Sequence, residues 1–217
     1  MQDRRPYKRQ TVEKRRDDLI AATLELVAEN GVQGATVRAI ADRAGVTPGL
    51  IRHYFASKEA LTRTAYEVLM QQMISDSAAV LSTAPDDPVA RLAAFVAASI
   101  SPPVVDPISV GLWASFLHDV RRDKEFRDTH AASYIAFRDV LQDLISKLPN
   151  RANARALRQD AIACNAVIDG LWLEGSVYPE GFEPGEIVEI GLRSVGLLLG
   201  VTLNFSAPRA LQNESPT

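Results

Sequence analysis

Residues 36–58 hold Thr36, Arg38, Thr47, Pro48, Gly49, Arg52, His53, Tyr54 and Lys58, types and spacings that suit contact with a nucleic acid. Lysine, arginine and threonine pair with phosphates, and arginine or threonine on a helix can also address base edges in a major groove. Arg52 suits a guanine or a phosphate, and Thr47 a phosphate or a thymine methyl. Pro48 and Gly49 keep a helix start slim, so that its backbone can approach a groove. Tyr54 offers a hydroxyl. Lys58 puts a charge and free N–H groups at the start of the next helix. His53 is read either as a base or phosphate contact or as a solvated surface residue, and in neither case as catalytic.

These residues need short helices in a fixed relation. Val37, Ile40, Ala41 and Ala44 recur at i, i+3, i+4 and i+7, one face of a helix that Thr36 caps. Gly45 falls where that helix must reverse, a position for left-handed backbone. Thr47 is expected to cap the following helix, with Pro48 at its first position. Leu50, Ile51 and Tyr54 form its inward face. Before this pair, residues 12–30 predict a helix with Leu19, Ile20, Leu24 and Val27 inward, ended by Gly31. After it, Ser57 caps a long helix carrying Leu61, Ala65, Val68, Leu69 and Met73 to about Leu81.

The run ATVRAIADRAGVTPGLIRHYFASKEAL resembles the DNA-binding signature of the TetR family of one-component transcriptional regulators. The shared features are the Ala-Gly-Val turn, the Tyr-Phe pair ending the recognition helix and the lysine two residues after Ala56. With the preceding helix, the likeness spans residues 12–70. It implies phosphate contacts at Thr36, Thr47, Tyr54 and Lys58, and Arg38 is added as a further expected contact. It also implies a helical body that takes a small-molecule effector.

Composition fits this outline. The chain has 217 residues, net charge −3 and 47% apolar residues. Residues 1–63 carry 12 Lys+Arg against 8 Asp+Glu, and the remainder 12 against 19. A basic head on an acidic body fits one DNA-facing end. The polar start MQDRRPYKRQ has no apolar core, so no secretory leader is expected. It reads instead as a solvated basic arm able to reach phosphates or a minor groove. Cys164 alone excludes a disulfide framework and a cysteine metal cluster, and it is read as core. His53, His118 and His130 make no metal or triad spacing, and no phosphate loop or dinucleotide glycine pattern occurs. No enzyme activity and no cofactor are expected.

The segment STAPDDP at 82–88 reads as a linker. Beyond it, helices are predicted at about 88–100, 107–122, 124–147, 153–178 and 184–204. The fold class is therefore all-α: an N-terminal helix-turn-helix domain (1–57), a larger helical effector-binding and dimerisation domain (58–205) and a disordered tail (206–217). The last two helices set Gly170, Gly191, Gly196 and Gly200 among apolar residues, which go most of the way round the final one, and this suits a homodimer through a four-helix bundle. A central position in a monomeric core is the other reading. A two-fold dimer implies a palindromic operator in double-stranded DNA.

Trp113, Phe116, Tyr134, Phe137 and Trp172 are candidate effector walls, with Asp169, Glu174 and His118 as polar partners. Each aromatic is equally a core residue. GLWASFLHD and IDGLWLEGSVYPEGFEPGE resemble the C-terminal domain of BetI-type, choline-responsive repressors, and tryptophan beside carboxylate is what a quaternary ammonium needs. The expected function is a cytoplasmic, ligand-responsive dimeric repressor with an unidentified small-molecule effector and no membrane partner. The alternatives are a choline-type effector, or a helix-turn-helix adaptor without a ligand.

Overall fold

The computed structural model describes residues 12–149 and 153–204, all helix, turn or loop. The basic arm and the C-terminal tail expected from the sequence lie outside them. The order is α1 (Val12–Gly34), α2 (Val37–Arg43), α3 (Pro48–Tyr54), α4 (Lys58–Ala79), α5 (Pro88–Ser99), α6 (Pro107–Arg122), α7 (Lys124–Ser146), α8 (Ala154–Val177) and α9 (Glu186–Leu199). Two short 3-10 turns, Val80–Ser82 and Pro179–Gly181, punctuate them.

Helix ends are set by local chemistry. Gly31, with φ 68°, breaks α1 where the sequence places its end, and a further helical turn continues to Gly34. Asp87 accepts from the Ala90 amide at 2.7 Å and Pro88 opens α5. Asn153 accepts from the Arg155 and Ala156 amides at the start of α8. The final helix stops at Leu199, short of the predicted 204. Gly200 takes left-handed backbone (φ 64°), and the Val201 amide turns back to the Gly196 carbonyl at 3.0 Å. That is a Schellman-type end, which apolar periodicity alone does not reveal.

Packing divides the chain into two compact units: residues up to Leu69 with Gly111–His130, and Met70–Val110 with Ala131 onward. In the first, Leu19, Ile20, Leu26 and Val27 of α1 are buried with Ile40, Ala41, Ile51 and Phe55. Tyr66 of α4 is fully buried against Phe116 of α6, ring centroids 4.9 Å apart, and its hydroxyl lies 2.5 Å from His130 Nδ1. The core of the second unit joins Leu92, Phe95 and Ile100 of α5, Leu141 and Ile145 of α7, Cys164 and Ile168 of α8, and Leu192, Val195 and Leu199 of α9. The Cys164 thiol is buried there, as expected of a core cysteine.

Candidate nucleic-acid interface and effector site

The helix-turn-helix is built as its sequence directs. Thr36 Oγ1 accepts from the Ala39 amide at 3.2 Å, starting α2. That helix ends on Gly45 (φ 63°), with Val46 N–H bonded to Ala41 O at 2.9 Å and Gly45 N–H to Asp42 O at 3.2 Å. This pair of bonds fixes the angle at which the chain enters α3. Thr47 occupies the cap position of α3, but its hydroxyl makes no capping bond, contrary to the expectation. The Leu50 amide, at the position that such a cap would serve, bonds the Thr47 carbonyl instead, at 2.9 Å.

Burial along α3 separates an inward face from an exposed one. Ile51 and Phe55 are buried, while Thr47, Pro48, Gly49, Arg52 and His53 are exposed side by side. Tyr54 is half-buried, with His53 edge-on to its ring at 5.2 Å. Arg38 projects almost fully into solvent, 4.0 Å from Asp42. Lys58 is half-buried and donates from Nζ to the Val32 carbonyl at 3.1 Å, tying the start of α4 to the last turn of α1. Ammonium carries three donors, so this bond leaves capacity for a phosphate.

One scaffold residue was not foreseen. Arg43 at the end of α2 forks onto Glu29 (2.7 and 3.0 Å) and reaches Glu25 at 3.1 Å. The guanidinium holds the Glu29 carboxyl below its ordinary range, and the paired carboxylates raise the Arg43 value. A bidentate clamp of this kind fixes orientation between α1 and α2. Its signal was Glu25 and Glu29 at i and i+4 on α1, facing a helix that ends in arginine.

The candidate effector residues fall in both units. Trp113 (half-buried) and Phe116 (fully buried) belong to the first. Tyr134, Phe137, Asp169 and Trp172 belong to the second. Trp172 is buried and its Nε1 donates to the Val104 carbonyl at 2.8 Å, so its polar edge anchors the chain after α5. Phe137 packs on Phe95, centroids 5.2 Å apart. Tyr134 and Asp169 do come together, bonding across α7 and α8, while Asn165 donates its amide to Asp169 Oδ2 at 2.6 Å. Burial pushes the Asp169 carboxyl up to about 6, against the opposing pull of Asn165, Tyr134 and the charge of Arg138. Burial, then the nearby Asp169 charge, pushes the Tyr134 phenol up to about 12. Asn165 was missed, though its i, i+4 spacing to Asp169 was legible.

Comparison with known proteins decides the family. Residues 19–65 match the model of bacterial regulatory proteins of the tetR family, and residues 88–200 match the BetI-type transcriptional repressor C-terminal domain. The chain belongs to the TetR family, with a BetI-type C-terminal domain. Among curated relatives, the HTH-type transcriptional regulator BetI of Burkholderia thailandensis is 28% identical over 91% of this chain and 96% of its own. BetI of Burkholderia mallei is 30% identical over 77% and 85%. A solved transcriptional regulator from Pseudomonas aeruginosa PAO1 is 32% identical, with TM-score 0.81 over 90% of this chain and 95% of that one. A regulator from Saccharomonospora viridis, solved in complex with choline, shares the fold at 17% identity and TM-score 0.65, covering 87% and 96%.

Membership in this TetR-type family makes the chain a DNA-binding regulator and not an enzyme. Among the described residues, no helix is long and apolar enough to cross a membrane.

Proposed function

We propose that this TetR-family chain is a dimeric repressor that sits on a palindromic operator in the cytoplasm and is switched by a small-molecule effector. The observation that carries the DNA half is the exposed row Thr47, Pro48, Gly49, Arg52 and His53 on a helix whose other face is buried. It presents donors to a groove with no scaffold role to account for them. Phosphate contacts fall to Thr36, Arg38, Thr47, Tyr54 and Lys58, and base reading to Arg52 and His53.

Dimerisation is supported by an uncovered apolar stripe on the last two helices. Leu173 and Val177 of α8, with Leu197 and Leu198 of α9, are exposed at 41%, 66%, 78% and 50%. Around Gly170, in the same stripe, there is open space where a second backbone could approach. A chain of this size leaves such a face bare at the cost of solubility unless a copy covers it.

The effector is a cation in this reading. Asp169, part-buried and bonded by Tyr134 and Asn165, is a carboxylate whose ionised form a nearby positive charge would favour. Choline bound to the S. viridis protein supports a quaternary ammonium as the class to try first.

The test is a mobility-shift titration on the gene's own upstream intergenic DNA, repeated with choline, betaine aldehyde and a mixed amine panel. Wild type is expected to shift the DNA and a cation to relieve the shift. Arg52→Ala should lose about 1–3 kcal/mol of operator affinity and relax specificity at one position. Operator binding that nothing in the panel relieves would favour a ligand-free adaptor. No specific binding at low salt would sink the repressor.

A further inference from the structure

A pocket of about 320 Å³ opens between α7 and α8. Arg138 and Gln142 line it from α7, and Arg158 lines it from α8. Arg138 is tethered by its Nε to the Tyr134 carbonyl at 3.3 Å, which leaves both terminal nitrogens of the fork. Among the described residues, Arg158 makes no hydrogen bond or ion pair. Asp139 also borders the pocket, yet it pairs with neither arginine. Two guanidinium groups lining one concavity offer donors from two helices to a single oxyanion.

The remaining walls are apolar. Ala161 is buried at the floor, and Ile135 is 50% exposed at the mouth. A purely inorganic anion would leave Ile135 wet, whereas an anion with a short hydrocarbon body would cover it. The volume lies at the small end of ligand sites.

We propose that this pocket binds a small organic carboxylate, gripped by Arg138 and Arg158 with its apolar body against Ile135 and Ala161. It is a site separate from the recognition helix and needs no DNA.

Calorimetric titration of the full-length protein with sodium hexanoate, at low ionic strength and without DNA, tests this. Acetate and inorganic phosphate serve as comparisons. Saturable binding of one hexanoate per chain is expected, with acetate and phosphate weaker. Arg158→Gln should weaken hexanoate about tenfold or more, because a charged hydrogen bond is lost. Its side chain is exposed, so the variant's melting curve without hexanoate should match wild type. Arg138→Gln should act in the same direction, and if it misfolds, Arg158→Gln decides alone. Hexanoate binding that survives Arg158→Gln would place the ligand elsewhere and overturn the proposal. Phosphate or acetate binding as tightly as hexanoate would overturn the assigned class, and absence of saturation would overturn the site.

Discussion

Asp169 carries a proton-dependent charge in the body, and its sign is opposite to that of an ordinary paired carboxylate. Its folded value is raised to about 6, chiefly by burial, from an unfolded value of about 3.9. The folded state therefore holds a proton more tightly than the unfolded state. The stabilising contribution is complete below about pH 4 and is lost as pH rises through about 6. At neutral pH the ionised, half-hidden carboxylate is a net cost. Asp169→Asn should raise stability at pH 7.5 by on the order of 2 kcal/mol, discounted for partial solvent access, and change little at pH 4. Thermal midpoints of both proteins at the two pH values check this, and a difference that does not grow with pH would refute it. The same variant should lose relief of DNA binding by cations, since the effector's counter-charge is gone. A stability gain paired with loss of function is the expected mark of a residue kept for binding.

At the scale of elements, the end of α9 is held by the return segment Val201–Leu203. A Cβ at Gly196 would lie 2.6 Å from the Val201 carbonyl oxygen, which is backbone and has no rotamer to yield. The Val201 amide meanwhile bonds back to Gly196 O. Gly196→Ala should therefore push the return segment off α9 and destabilise the body by about 1–3 kcal/mol, despite alanine's better helix propensity. Chemical denaturation measures it, and an unchanged midpoint would mean the return segment swings aside freely.

The same residue shows how far the sequence could be read. Its glycines were legible as signs of close approach, but the neighbour that approaches Gly196 is the chain's own Val201. Helix starts and the Gly45 turn were legible because caps and left-handed glycines act on residues within four or five positions. The Arg43 clamp on Glu25 and Glu29 and the Trp172 bond to Val104 were not, because their partners lie 14 to 68 positions away. The fold class and the exposed recognition row were thus readable from local pattern. The anchored indole of Trp172 was not, since the sequence had offered it as either an effector wall or a core aromatic without naming its partner.

For the whole molecule, charge and the symmetry of the proposed dimer set the terms of the proposed DNA binding. The basic residues are concentrated at the helix-turn-helix end, so the overall charge of −3 does not oppose approach by that end. One recognition helix reads only a few base pairs, and two related by a two-fold axis read half-sites separated by about one helical turn, 34–36 Å, or a multiple. Joining the heads turns the second contact into an intramolecular one, worth roughly 100-fold or more in affinity. Placing glutamate in the α8–α9 stripe, as Leu173→Glu with Leu197→Glu, would set like charges into an apolar face and should yield monomers. Both side chains are exposed in the single chain, at 41% and 78%, so each subunit should keep its fold and its helical circular dichroism. Light scattering should then give half the wild-type mass, and full-operator affinity should fall by roughly 100-fold while half-site binding stays near wild type. Persistence of the dimer would move the interface away from this stripe. A monomer that held the full operator as tightly as wild type would instead remove the two-fold reading of the DNA.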